Sequence, residues 1–171
     1  MAKERVLVAV KTYPVLSETY TELACTAGFR EDGSWIRIYP IPFRLLEASS
    51  RFKKYQWIEL GLAKNTKDPR PESYRPINRD DIALLDSIGT ERAWAARKDI
   101  VLKNNTIHTN LASLIEQANN NELSLAIFRP KEITDFLVEK TDREWDEKKL
   151  AKLKASQQQQ SLFEEMKEDF K

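Results

Sequence analysis

The chain has 171 residues and a formal net charge of +1, with 28 Lys and Arg against 27 Asp and Glu. This near-neutral balance argues against a polycation that coats nucleic acid, and the 41% hydrophobic content suits one folded domain with an extension. A single cysteine, Cys25, excludes an intrachain disulfide, and the apolar run Val6–Val10 is too short for a signal peptide or a membrane span, so we predict a cytoplasmic protein with no membrane association.

Four closely spaced strands are predicted in the first part of the chain. The continuous apolar run Val6–Val10 is predicted as a buried strand, and residues 20–29 as a second strand. A hairpin turn follows the second strand, where Asp32-Gly33 is the strongest local signal. Residues 35–39 are predicted as the third strand, which pairs with the second across this turn and ends at the following proline. Residues 55–63 are predicted as the fourth strand.

The rest of the chain alternates between loops, helices and short strands. Residues 44–52 are predicted as helical turns with Leu45 and Leu46 facing inward, residues 64–76 as a proline-rich loop, and residues 80–87 as either helical or extended. Thr90 is predicted to cap a helix to Lys103, with Trp94, Val101 and Leu102 as apolar anchors. Asn110 or Thr109 caps a second helix that ends at Asn119-Asn120-Asn121, and residues 123–128 and 133–139 are predicted strands.

This order of elements predicts an α+β fold, a small twisted antiparallel β-barrel of OB-like type with inserted and C-terminal helices. An open α+β sheet is the alternative. We predict a barrel domain over residues 1–141, with a helical insertion at about residues 80–120, and a charged helical extension or tail over residues 142–171 that could dock on a protein partner. The ending Asp169-Phe170-Lys171 carries no mark of a natural terminus, which leaves open that the chain continues.

The strand at residues 35–39 carries the side chains that most clearly indicate a binding function. Ile36 and Ile38 face one way, while Trp35, Arg37 and Tyr39 face the other. Aromatic rings that flank a guanidinium can stack on bases and hold phosphate. The alternative is that helices bury the rings and that Arg37 pairs with Glu22 on the neighbouring strand.

Two further segments are candidate binding surfaces. Prolines stiffen the loop at residues 67–76, which carries Arg70, Tyr74 and Arg75, and residues 43–79 hold nine Lys and Arg against four acids. The alternative is that Arg70 and Arg75 only pair with Asp68 and Glu72. Lys11 and Tyr13 lie at a strand end, where sites tend to be built. The predicted ligand-binding residues are therefore Trp35, Arg37, Tyr39, Arg44, Arg70, Tyr74, Arg75, Lys11 and Tyr13.

The sequence predicts neither a metal nor a cofactor. One cysteine and one histidine, His108, cannot make a Cys/His zinc site, and the four glycines form no dinucleotide or P-loop motif. We predict Cys25 in the core and His108 at the surface. Five carboxylates could still converge in space on a divalent ion, namely Glu18, Glu22, Glu59, Asp68 and Glu72.

Three short motifs carry a resemblance to a known family. They are Val10-Lys11-Thr12, the stretch Leu23-Ala24-Cys25-Thr26-Ala27-Gly28, and Asp32-Gly33-Ser34-Trp35-Ile36-Arg37-Ile38. In this order they resemble uncharacterised bacterial proteins with tandem OB-like (dual-OB) β-barrels, over residues 5–76. The resemblance implies an oligonucleotide-binding face but no catalytic residues.

We therefore expect a binding module for nucleic acid or a nucleotide, with the aromatic rings on bases and the arginines on phosphates. One alternative is a metal-dependent nuclease or phosphodiesterase in which Glu22, Glu59, Asp68 or Glu72 would hold a divalent ion. The other is a protein-interaction subunit of a larger complex. No catalytic residue is assigned.

Overall fold

The computed structural model describes residues 3–12, 15–17, 21–41, 46, 51–78, 80–140, 147, 151 and 155, without the side chains of residues 15–17 and 21–23. Within these ranges the strands are β1 Lys3–Lys11, β2 Val15–Ser17, β3 Thr21–Arg30, β4 Trp35–Ile41, β5 Gln56–Lys64, β6 Ser73–Pro76, β7 Ile82–Ser87, β8 Ile107–His108 and β9 Ile127–Phe128. The helices are α1 Glu91–Leu102 and α2 Leu111–Asn119.

Five of these strands close into a barrel. β1 pairs with β3, β3 with β4, β4 with β6, and β6 with β5, which returns to β1. Outside the barrel, β2 pairs with β3 and β7 pairs with β5, both antiparallel, and β8 and β9 form a separate parallel pair. With two short helices in the described part, the predicted small α+β barrel is confirmed.

One pairing departs from the predicted antiparallel pattern. β4 and β6 run parallel, with Arg37 opposite Ser73 and Ile38 opposite Tyr74. β6 lies within the segment that we predicted as a loop because of its prolines. That prediction was wrong, because Pro69 and Pro71 come before the strand and Pro76 is its last residue, where no further ladder bond is required.

The barrel interior is the core of the protein. The predicted alternation in β4 is confirmed, because Ile36 and Ile38 are fully buried, and Ile58 and Leu60 of β5 are fully buried with them. Each such side chain stabilises the fold by about 1.5–3 kcal/mol relative to exposure. The rest of this core cluster consists of Val6, Val8, Ile41, Leu46, Phe52 and Ile82.

A close approach of β1 and β3 requires glycine at residue 28. Gly28 is opposite Val8, next to a register shift between Val8 and Val10. A Cβ atom at Gly28 would lie far inside van der Waals contact with the backbone carbonyl oxygen of Leu7. The two backbones can therefore pair here only because residue 28 lacks a side chain.

Helix α1 lies where it was predicted, but the predicted Thr90 cap and the predicted anchors Trp94 and Leu102 are wrong, whereas the third anchor, Val101, is half-buried. The Thr90 side chain makes no capping hydrogen bond, and residues 92–94 have φ between 49° and 65°. Trp94 is 57% exposed and Leu102 is 45% exposed. Polar contacts hold α1 instead: Arg97 donates from Nε and Nη2 to the Ile88 carbonyl oxygen at 3.0 and 2.8 Å.

Residues beyond α1 are fastened to the β3–β4 turn. Lys103 Nζ donates to the Glu31 carbonyl oxygen, and Asn105 Nδ2 donates to that of Gly33, both at 2.8 Å. The predicted cap of α2 is confirmed, because the Asn110 side chain accepts from Ser113 N at 3.2 Å. Helix α2 ends at Asn119, as predicted.

Two strand predictions near residue 130 need correction. Of residues 123–128, only Ile127–Phe128 is a strand, and residues 133–139 have no regular structure. Four large side chains there, Ile133, Phe136, Leu137 and Val138, are 76–82% exposed. Apolar β-formers become a strand only where a partner backbone lies beside them, and none of the described strands pairs with this segment.

Several predictions lie outside the described residues. They concern most of the helical turns at residues 44–52 and the extension at residues 142–171. The undecided segment at residues 80–87 contains the strand β7. Neither α1 nor α2 has the length and apolar character that crossing a bilayer requires.

Candidate functional site

A cleft of about 640 Å³ opens where the end of β4 meets the β5–β6 loop. Its described lining is Tyr39, Pro40, Asn65, Thr66, Lys67, Asp68, Pro69, Arg70, Arg75 and Pro76. We call it the β4–β6 cleft. Three of the predicted ligand-binding residues, Tyr39, Arg70 and Arg75, meet in this one opening.

Asn65 holds the start of the β5–β6 loop. Its backbone N–H donates to the Ser73 carbonyl oxygen at 3.1 Å, and its Nδ2 donates to the Tyr39 carbonyl oxygen at 3.5 Å. Its Oδ1 accepts from the Lys67 backbone N–H at 3.3 Å. Asn65 is buried, so this amide joins the loop to the end of β4.

Asp68 and Arg70 form a two-pronged ion pair inside the loop. Arg70 Nε and Nη2 donate to the two carboxylate oxygens of Asp68 at 2.7 Å each, and Ser73 Oγ donates to Asp68 at 2.8 Å. These hydrogen bonds hold the pKa of Asp68 well below its usual range, and those from Arg70 have the larger effect. Arg70 thus neutralises the acid, and the exposed Lys67 and Arg75 leave the cleft lining net positive.

The side chains of the predicted aromatic and arginine face of β4 do not all lie in the cleft. Both rings are half-buried, but Tyr39 lines the cleft, whereas the Trp35 ring packs at a tilt against Phe29 with centroids 4.1 Å apart. The Arg37 guanidinium carbon lies 5.9 Å from the Tyr39 ring centroid. Its Nε is buried and has no hydrogen-bond partner in the described part of the chain, where the side chain of Glu22 is not included.

Cys25 is half-buried and lies outside the core cluster, so its predicted core position is wrong. Burial raises the pKa of the Cys25 thiol, and the charges of Arg37 and Arg70 oppose that rise. His108, predicted at the surface, is half-buried in β8.

Other predicted site residues lie elsewhere or outside the described ranges. Tyr74 packs against the core between Arg30, 4.6 Å from its ring centroid, and Lys64, at 4.9 Å. Lys11 Nζ donates to the Phe52 carbonyl oxygen at 2.8 Å, and burial, followed by the Lys54 charge, lowers the pKa of Lys11. Arg44 and Tyr13 are outside the described residues.

Sequence reasoning missed Asn65 and Lys67 as site residues. Lys67 belongs to the basic segment at residues 43–79, which was a usable signal. Nothing in the sequence marks Asn65, because its role depends on a bond to a residue 26 positions away.

The carboxylates considered for a metal do not converge in the part that the structure describes. Asp68 is bound by Arg70, and Glu72 accepts hydrogen bonds from Ser124. No three His, Cys, Asp or Glu side chains among the described residues gather closely enough to hold a metal ion. The side chains of Glu18 and Glu22 lie outside that description.

A second depression differs in charge. It has a volume of about 550 Å³ and is lined by Arg5, Glu59, Leu84, Leu85 and Asp86. Two acids against one arginine suit an anionic ligand less well than the β4–β6 cleft does.

Comparison with known families divides the chain at residue 103. Residues 104–171 match a domain of unknown function, DUF8757, and residues 2–103 match another, DUF8758. No curated protein and no solved structure matches the chain. Since the match to residues 2–103 covers more than half of the sequence, the protein belongs to the DUF8758 family.

Proposed function

We propose that this protein binds nucleic acid, or a nucleotide-like ligand, in the β4–β6 cleft. The observation that carries the proposal is that Tyr39 and the exposed cations Lys67 and Arg75 line one opening. Aromatic rings offer a stacking surface to any base, and nearby cations attract the phosphates that join the bases. Among the described lining residues the one acid, Asp68, is already neutralised by Arg70.

The barrel is OB-like in this proposal. If β1, β3, β4, β5 and β6 are numbered one to five, the pairing order is 1-2-3-5-4 and returns to one, with only the third and fifth strands parallel. This order supports an OB-type barrel, in which oligonucleotides lie against the second and third strands and the loop between the fourth and fifth. The β4–β6 cleft adjoins the third of these strands, β4, and the loop between the fourth and fifth, which is the β5–β6 loop. The resemblance to bacterial tandem OB-like proteins agrees with this assignment.

A binding role is favoured over a nuclease because Asp68 and Glu72 are already engaged by Arg70 and Ser124. A cytoplasmic location and a protein partner for residues 142–171 remain predictions from the sequence.

The test is a binding titration with a fluorescein-labelled single strand of about 12 nucleotides, as DNA and as RNA, followed by fluorescence anisotropy. The affinity should fall steeply between about 50 and 200 mM salt. Tyr39→Ala should cost about 1–3 kcal/mol of binding free energy, the range found for one base stacked on an aromatic ring. Lys67→Ala and Arg75→Ala should each lower the salt slope by about 0.7.

The matched controls are Lys131→Ala and Arg129→Ala, which remove exposed cations that do not line the cleft. Both should bind like the wild type. Undetectable binding of either strand, or equal losses in the cleft variants and the controls, would overturn the proposed function.

A further inference from the structure

Glu72 connects the cleft loop to a distant part of the chain. Its carboxylate accepts from the Ser124 backbone N–H at 3.1 and 3.2 Å and from Ser124 Oγ at 2.8 Å. Its own carbonyl oxygen accepts from the Arg37 backbone N–H at 2.8 Å. Glu72 is therefore held on two sides, immediately before β6 begins.

Ser124 lies beyond α2, in the segment that matches the second family, whereas Glu72 lies in the segment that matches the first. The two segments also meet at the β3–β4 turn, through Asn105 and Gly33. Charge-assisted hydrogen bonds are roughly twice as strong as neutral ones, so Glu72 and Ser124 make a firm contact between the two segments.

This contact fixes the end of the loop that forms the cleft. Asn65, the first residue of that loop, is bonded to β4, and Glu72, the last residue, is bonded to Ser124. Lys67 and Arg70 lie between these two points, and Arg75 follows in β6. A loop that is fixed before the ligand arrives has less conformational entropy to lose on binding.

We propose that Glu72, with Ser124 as its partner, is a positioning residue that sets the β4–β6 cleft for its ligand. This inference rests on the proposed function. It assigns to the segment after residue 103 a part in ligand binding, although the described lining of the cleft comes entirely from residues 39–76.

The sign of one substitution separates positioning from simple electrostatics. Glu72→Gln removes a negative charge near a cationic cleft, which by itself would tighten the binding of an anion. If Glu72 acts by holding the loop, the same substitution weakens binding. Ser124→Ala changes no charge, so it should weaken binding only through the lost contact.

The experiment is the anisotropy titration with the single strand, run on the wild type, Glu72→Gln, Ser124→Ala and the double variant. Each single variant should bind about three- to tenfold more weakly, the cost of ordering one or two side chains on binding. The slope of affinity against salt should stay that of the wild type, because no phosphate contact is lost. The double variant should be no weaker than either single variant, since both remove the same contact.

Two controls sharpen the result. Ser124→Thr keeps the hydroxyl and should restore most of the affinity, and Glu132→Gln removes an exposed carboxylate outside the cleft and should change nothing. Amide hydrogen exchange without ligand should be faster over residues 65–72 in Glu72→Gln and Ser124→Ala.

The outcomes separate the two proposals. A wild-type protein that does not bind the strand overturns the proposed function and the positioning role with it. A wild type that binds, together with a tighter Glu72→Gln or an unchanged Ser124→Ala, overturns the positioning role alone.

Discussion

Replacing Asp68 with Asn should destabilise the protein in a pH-dependent way. Asp68 accepts two hydrogen bonds of 2.7 Å from the Arg70 guanidinium and one of 2.8 Å from Ser73 Oγ. The Asp68 side chain is 9% exposed and that of Arg70 is 35% exposed, so the pair is neither fully buried nor a free surface pair. Asn keeps the shape of the side chain but loses the charge and one acceptor oxygen.

The magnitude follows from this intermediate burial. Hydrogen bonds to charged groups contribute about 1.5–3 kcal/mol, whereas exposed ion pairs contribute about 0–1 kcal/mol. We therefore expect Asp68→Asn to lower the free energy of unfolding by about 2 kcal/mol at pH 7. The pKa of Asp68 is lowered in the folded state, so this stabilisation is complete above its unfolded value of about 3.9 and is lost as the pH falls below it.

The assay is urea denaturation of the wild type and Asp68→Asn across acidic and neutral pH. The difference between them should be constant from about pH 7 to pH 5 and should shrink below about pH 4. Asp99→Asn, at an exposed aspartate of α1, serves as the control and should show no such difference. A difference below about 0.5 kcal/mol at pH 7, or one that grows as the pH falls, would show that the Asp68–Arg70 pair does not stabilise the folded state in this way.

Three further substitutions or reactions test other parts of the structure. Gly28→Ala should cost about 3 kcal/mol or more, measured by urea denaturation, because the new methyl group meets the rigid Leu7 backbone; a loss as small as that of an ordinary surface change would contradict the close approach. Asn110→Ala should cost about 1 kcal/mol and speed amide exchange over residues 111–114, and unchanged exchange there would argue against the cap. The Cys25 thiol should react with a thiol reagent more slowly than free cysteine near pH 8, since burial raises its pKa; a faster reaction would mean that Arg37 and Arg70 dominate instead.

The sequence predicted the parts of the fold that depend on local patterns. The alternation of Ile36 and Ile38 with Trp35 and Tyr39 placed the start of β4 correctly, although the strand continues through Pro40 to Ile41 instead of stopping at residue 39. The Asn110 cap and the turn at Asp32-Gly33 are local signals of the same kind. β6 was missed because a four-residue strand between prolines is defined by its neighbours, β4 and β5, and not by its own residues. The strand predicted at residues 133–139 failed for the same reason, because no described strand pairs with it.

The candidate site was predictable only in part. Tyr39, Arg70 and Arg75 could be named from their types and positions, and the structure brings them into one cleft. The sequence offered Arg70 either as a free fork or as a partner of Asp68, and only coordinates could show that the pair forms. The contact between Glu72 and Ser124 joins residues 52 positions apart, a distance that no local pattern in one sequence can reveal.

An NMR titration of the isotope-labelled protein with the single-stranded oligonucleotide tests most directly whether the ligand binds in the β4–β6 cleft. If the strand binds in the β4–β6 cleft, the first backbone signals to shift are those of Tyr39, residues 65–70 and Arg75. Signals from the irregular segment at residues 133–139 should stay in place. Shifts confined to that segment, or no shifts at all at low salt, would contradict a ligand site in the β4–β6 cleft.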